Sequence, residues 1–132
     1  MKRNLFSILA LLATSTLVWI NSPASATPSS YQESCNNISV FGNVLSANCS
    51  QVSGSFKKTS IVLHGIENIN GTLKVTDPGK VSNYHFTCRH IRIRGNYLEA
   101  ACNRINGTTM WTSVVLQGIE NINGVLKYIS SP

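Results

Sequence analysis

Apolar residues in this chain fall at two-residue intervals, in short runs broken by Gly and Asn. That is the period of a strand with one face buried. Ile38 and Val40, then Leu45, Ala47 and Cys49, alternate with polar neighbours on either side of Gly42-Asn43. Ile91 and Ile93, then Leu98, Ala100 and Cys102, do the same around Gly95-Asn96. Each set predicts a hairpin. Third strands are expected at Thr59 to Leu63 and Thr112 to Leu116, and short returning strands at Leu73 to Val75 and Leu126 to Ile129. Asn70-Gly71 and Asn123-Gly124 stand just before the returning strands, and Asn-Gly is the strongest short hairpin signal because both residues accept positive φ. No window carries a 3.6-residue apolar stripe, so the only helical expectation is a turn at Ile66 to Asn68. The fold class this implies is all-β.

The pattern occurs twice because the chain is duplicated. The phrase HGIENINGTLK at 64–74 returns as QGIENINGVLK at 117–127, and an offset of 53 aligns the two without a gap. Comparing 35–74 with 88–127, 21 of 40 positions are identical, which only duplication explains comfortably. The register reaches back to Tyr31 over Tyr84, so repeat one runs from about 31 to 75 and repeat two from about 84 to 129, with a hinge at 76–83 holding Asp77-Pro78-Gly79. Two units are too few for an open solenoid, so they are expected to close on each other as one pseudo-symmetric domain.

Lys2 and Arg3 precede a largely apolar run from Leu5 to Ile20, followed by the small residues Ala24-Ser25-Ala26. This predicts a signal peptide at 1–26 and a secreted or periplasmic domain at 27–132. A membrane anchor is the rival, but the run is interrupted by Ser7 and Thr14-Ser15-Thr16 and falls short of the about 20 apolar residues a span needs. Export brings the four cysteines into an oxidising compartment. Cys35 and Cys49 are 14 apart, as are Cys88 and Cys102. Three pairings are open to four cysteines, and one pair per copy favours the local one. Each bridge would close a loop of about 15 residues, worth about 3 kcal/mol. There is no CxxC or HxxxH, so no metal and no cofactor is expected.

The whole chain carries a net charge of +6; without residues 1–26 it keeps 9 basic against 5 acidic residues, a net of +4. Such a balance does not demand nucleic acid. Arg92 and Arg94 share one face of a strand beside Arg89 or His90, and this stripe is either a solvated strand face or a surface for anionic glycans or cell-surface polymers. Catalysis is not expected. The carboxylates after residue 26 are Glu33, Glu67, Asp77, Glu99 and Glu120, with no close pair of the kind a glycosidase uses. No GxSxG elbow occurs, and two bridges would leave no thiol as nucleophile. Trp111 aligns with Lys58 and His64 with Gln117, which marks both as surface residues rather than shared core.

A domain of about 100 residues with two internal repeats, a cysteine pair in each, and a duplicated NINGxLK resembles the cyanovirin-N family of lectins, over Tyr31 to Lys127. The resemblance implies two strand-exchanged repeats, each a three-stranded sheet plus a β-hairpin, with short 3-10 turns. It implies glycan partners, mannose-rich ones in particular, bound at two sites at opposite ends of a monomer or of a dimer swapped through the hinge. Carried over by position, one site joins Glu67, Asn68 and Asn70 with Ser82, Asn83, Thr87 and Arg104. The other joins Glu120, Asn121 and Asn123 with Ser29, Ser30, Glu33, Ser34, and Ser50 or Gln51. Asn suits this chemistry because it both donates and accepts toward sugar hydroxyls; the competing roles for these Asn residues are turn backbone and local capping. The chain departs from the family pattern in three places. Asn70 and Asn123 stand where Asp is common. Phe86 stands where a polar residue is usual, either blocking the pocket or stacking on a sugar. The segment from Val75 to Asn83 is longer than usual.

Overall fold

A computed structural model describes residues 27–129, so the signal-peptide expectation at 1–26 lies outside the described residues. The first copy forms a three-stranded antiparallel sheet of β1 (Cys35–Phe41), β2 (Val44–Ser50) and β3 (Phe56–Val62), then a hairpin of β4 (Ile66–Ile69) and β5 (Thr72–Val75). The second repeats it with β6 (Cys88–Arg94), β7 (Tyr97–Asn103), β8 (Thr109–Val115), β9 (Ile119–Ile122) and β10 (Val125–Tyr128). Single 3-10 turns at Tyr31–Glu33 and Tyr84–Phe86 precede β1 and β6.

The helical expectation at Ile66 to Asn68 is overturned, since these residues open β4. The amide of Ile66 donates to the Ser82 hydroxyl and its carbonyl accepts from the Asn83 amide. With those groups engaged by a distant segment, nothing is left to close a helical turn. β3 and β8 start three residues earlier than expected, at Phe56 and Thr109, because the ladder runs the full length of β2 and β7. The added positions are exposed and carry no apolar alternation. At the hairpin ends both residues of Asn70-Gly71 and of Asn123-Gly124 have positive φ, as that turn requires.

The copies exchange their hairpins. The β4–β5 hairpin packs on β8 and the β9–β10 hairpin on β3. The amide of Leu73 donates to the Thr112 hydroxyl at 3.0 Å, and that of Leu126 to the Thr59 hydroxyl at 3.1 Å. One core therefore runs through both copies, with Leu45, Leu63, Leu98, Leu116 and Ile119 fully enclosed. Neither copy could bury these faces alone. Two buried tyrosines stitch the halves: Tyr31 donates its hydroxyl to the Gly95 carbonyl at 2.6 Å, and Tyr84 donates to that of Gly42. Burial pushes both phenols well above the ordinary range, with Tyr128 nearby adding to the effect. Cys35 faces Cys49 and Cys88 faces Cys102 in the ladders, and both pairs are bonded.

Each three-stranded sheet carries a β-bulge, between Asn36 and Ser39 in β1 and between Arg89 and Arg92 in β6. Asn37 and His90 take positive φ there. An extra residue at that point reverses which side the preceding side chain faces.

Candidate functional site

The repeated phrase sits where a hairpin of one copy meets the sheet of the other. Asn68 in β4 accepts from the Gly71 amide at 2.7 Å, which closes the hairpin turn. Its amide nitrogen donates across the boundary to the Thr87 hydroxyl at 3.0 Å and the Asn103 carbonyl at 2.9 Å. Asn121 repeats this: it accepts from Gly124 at 2.7 Å and donates to the Ser34 hydroxyl at 3.0 Å and the Ser50 carbonyl at 2.9 Å. Asn70 and Asn123 each accept from one loop amide of the opposite copy, Ile105 and Val52, both at 2.9 Å. The four Asn residues are thus clamps first: the local capping role is present at Asn68 and Asn121, and the turn-backbone role at Asn70 and Asn123.

Around the first clamp lies an open hollow of about 450 Å³, walled by Asn68, Ile69, Asn70, Thr87, Asn103, Arg104 and Ile105. Arg104 reaches it by laying its stem on Gly71, where a Cβ would stand 2.7 Å from the Arg104 Cγ. Four of the residues expected at this site converge here: Asn68, Asn70, Thr87 and Arg104. The other three stand elsewhere. Ser82 is 1% exposed and its hydroxyl accepts from the Ile66 amide at 2.9 Å, so it belongs to the core. Asn83 is exposed at the start of the 3-10 turn, outside the walls. Glu67 is also outside them, and its carboxylate accepts from the Thr76 hydroxyl of the linker at 2.8 Å. Neighbouring residues of a strand point to opposite sides, which separates Glu67 from Asn68.

The second boundary has the same plan. Ser34, Gln51, Asn121 and Asn123 come together, with Gly124 beneath Gln51 as Gly71 is beneath Arg104. Ser29 is buried and binds the Ile119 amide through its hydroxyl. Ser30 directly precedes the 3-10 turn before β1, and Glu33 is the last residue of that turn. Glu120 faces Lys127 in the β9–β10 register.

Sequence reasoning missed Ile69, Asn103 and Ile105 as walls. Asn103 was within reach of the offset of 53, since it is the counterpart of Ser50. Ile105 and its counterpart Val52 are 91% and 92% exposed, an unusual place for aliphatic side chains. Phe86 does not block the hollow: it stands at 78% exposure beside it, its ring 4.2 Å from that of His85. A larger hollow of about 670 Å³ lies over β1–β3, among Asn37, Ser39, Asn48, Lys58 and Ser60. Its walls come from one copy alone, whereas the 450 Å³ hollow is built by both.

The described residues contain no group of three or more His, Cys, Asp or Glu placed to hold a metal ion. The arrangement is an open recess, largely apolar on its accessible surface, with a few polar groups of both copies at its edge.

Residues 31–127 match the family model for the CVNH domain. Among solved structures, TbCVNH of T. borchii is 25% identical with a TM-score of 0.64, the match covering 75% of this chain and 98% of that one. Microvirin in its complex with mannobiose is 26% identical with a TM-score of 0.58, covering 74% and 95%. A MoCVNH3 variant in complex with (N-GlcNAc)4 is 18% identical with a TM-score of 0.65, covering 80% and 99%, and shares the fold. Duplicated cysteine hairpins, exchanged phrase hairpins and a family match over nearly all the described residues lead to one conclusion: the chain belongs to the CVNH, or cyanovirin-N homologue, family of carbohydrate-binding lectins.

Proposed function

We propose that the chain is an exported, non-catalytic lectin that binds mannose-rich oligosaccharides at the two boundaries where a hairpin of one copy meets the sheet of the other. The observation that carries this reading is the hollow at the first boundary, where polar groups of both copies converge around an exposed aliphatic rim. A sugar offers adjacent hydroxyls and an apolar ring face. Ile69 and Ile105 suit the ring face. The Asn70 amide nitrogen, the Thr87 hydroxyl hydrogen and the Arg104 guanidinium are the donors that reach its hydroxyls, since Asn68 already spends its amide hydrogens on Thr87 and Asn103. Mannose is favoured by the likeness to microvirin, whose solved complex holds mannobiose.

Each recess is shallow, so single-site binding is expected to be weak, in roughly the micromolar to millimolar range. Two such recesses on one rigid core could engage two branches of a glycan, and bivalency of this kind raises avidity by about 10² to 10⁴ where geometry allows. Duplication then serves binding directly.

The test is a glycan array on the oxidised protein at two salt concentrations, followed by mannobiose titration of Asn70→Ala and Arg104→Ala. Retention of neutral oligomannose should withstand salt and fall in both variants while their melting temperatures stay above the assay temperature. Unchanged retention in both removes the first site. N-terminal sequencing of the exported protein checks processing, and a chain beginning at Met1 contradicts it.

A further inference from the structure

We propose a second carbohydrate surface, specific for acidic sugars, on the outer face of β6, β7 and β8. The bulge in β6 is what assembles it. Under strict alternation Arg89 would face the side opposite to Arg92 and Arg94. With the extra residue at His90, Arg89 pairs with Ala101, Arg92 with Glu99 and Arg94 with Tyr97, and the three arginines share one face. Trp111 pairs with Ala101 from the far side, and Ala101 is small enough for larger groups to close over it. The Arg92 guanidinium lies 5.1 Å from the Trp111 ring centroid, and the His90 ring 6.2 Å from it. Glu99 holds Arg92 at 2.8 Å and Arg94 at 3.6 Å. It sets the positions of two guanidinium groups while neutralising one charge of three. Arg89 has no ion-pair partner among the described residues.

The result is a hollow of about 510 Å³ walled by Arg89, His90, Ala101, Thr109, Met110 and Trp111. Trp111 is 56% exposed, and the fold does not require an aromatic there, because the first copy places Lys58 at the same position. Nor does the scaffold require the arginines: Asn36, Ser39 and Phe41 are their counterparts. The two copies agree in the sugar-site phrase and differ on this face. An exposed indole offers a flat apolar platform for a sugar ring, and guanidinium groups beside it form paired, charge-assisted bonds to a carboxylate or sulfate. Single-stranded nucleic acid would call for several stacking aromatics and an unbroken basic track, whereas this face has one tryptophan and carries Glu99 in its middle. A smaller hollow of about 190 Å³ shares Arg89 with this surface and Thr87 and Asn103 with the mannose recess, so the two surfaces adjoin.

The assay titrates the oxidised full chain with a galacturonate tetrasaccharide and with a heparin tetrasaccharide, following the Trp111 indole N–H by NMR. Mannobiose, inorganic sulfate and a single-stranded oligonucleotide serve as comparators. At least one acidic tetrasaccharide should shift the indole resonance, and the one that binds more tightly distinguishes carboxylate from sulfate recognition. Its affinity, read by isothermal titration calorimetry because Trp111→Ala lacks the indole probe, should fall about tenfold in Trp111→Ala and in Arg89→Gln, and should weaken as salt rises from about 0.05 to about 0.3 M. The melting temperatures of Trp111→Ala and Arg89→Gln, expected to stay within a few degrees of the parent, check that both variants fold. The proposal is overturned if neither acidic tetrasaccharide moves the indole, if both variants keep full affinity, if sulfate alone binds as tightly, or if the oligonucleotide binds more tightly than either sugar. It does not rest on the mannose reading: a chain that ignored mannobiose while binding the acidic tetrasaccharide through Trp111 would sink that reading and leave this one standing.

Discussion

Replacing Asn68 with Ala removes three hydrogen bonds at once: one that closes the β4–β5 turn and two that fasten this hairpin to the other copy. A net hydrogen bond is worth about 1 kcal/mol, and part of this set is open to water, so the expected loss is about 2–3 kcal/mol. For a domain of about 100 residues, 1 kcal/mol moves the melting temperature by about 4–8 °C. Asn68→Ala should therefore melt about 8–24 °C below the parent by differential scanning calorimetry. Asn121→Ala is the internal control, because its three bonds have the same lengths and its loss should be similar. Thr87→Val removes the acceptor of one of these bonds; combined with Asn68→Ala it should fall short of additivity by about 1 kcal/mol. Melting within about 2 °C of the parent for both Asn variants would refute the clamp. If Asn68→Ala kept full stability but lost mannobiose, the side chain would be a ligand contact and not a fastener.

Alkaline stability is set by Tyr31 and Tyr84. Their phenols are kept protonated in the folded state by burial, so the unfolded chain loses those protons first, near the ordinary value of about 10. Stability should be level from pH 7 to 9 and fall above 10, by about 1.4 kcal/mol per pH unit for each tyrosine; urea midpoints at pH 9 and 11 check this, and Tyr84→Phe should lessen the slope without removing it, since burial raises Tyr31 and Tyr128 as well. Gly71→Ala sets a Cβ 2.7 Å from the Arg104 stem at a φ of +91°, so it should destabilise by more than about 1 kcal/mol and shift the Arg104 resonances. Gly65→Ala brings a Cβ within 3.1 Å of the Pro78 backbone at a φ of +80° and should destabilise as well, since backbone gives way less readily than a side chain. Reducing both disulfides should lower stability by several kcal/mol, about 3 for each loop of about 15 residues, measured as the shift in urea midpoint on adding dithiothreitol.

Most of the strands, the doubled architecture and the pairing of Cys35 with Cys49 and Cys88 with Cys102 were legible in the chain, because alternation, duplication and Asn-Gly turns can be read from the residues themselves. Part of the first recess was legible too, since Asn68, Asn70, Thr87 and Arg104, four of the seven residues expected together, line one hollow. What sequence could not divide was the labour among polar residues of one type. Ser82 and Thr87 look alike on paper, yet the first is sealed under β4 and the second borders a recess, because the hairpin of one copy folds over the segment before the other copy. Glu67 and Asn68 are neighbours, yet strand geometry sends one to Thr76 and the other across the boundary. The basic face shows the same limit: one extra residue in β6 turns Arg89 to the side of Arg92, and its trace in the chain, the odd step from Cys88 to Ile91, does not say what Arg89 then meets. Sequence alone determined most of the strand segments, β4 at Ile66–Ile69 excepted, and that they come in two equal sets. Tertiary structure decided which side each polar group faces and what it meets, because those contacts join residues as far apart as Ser29 and Ile119, whose proximity no local pattern encodes.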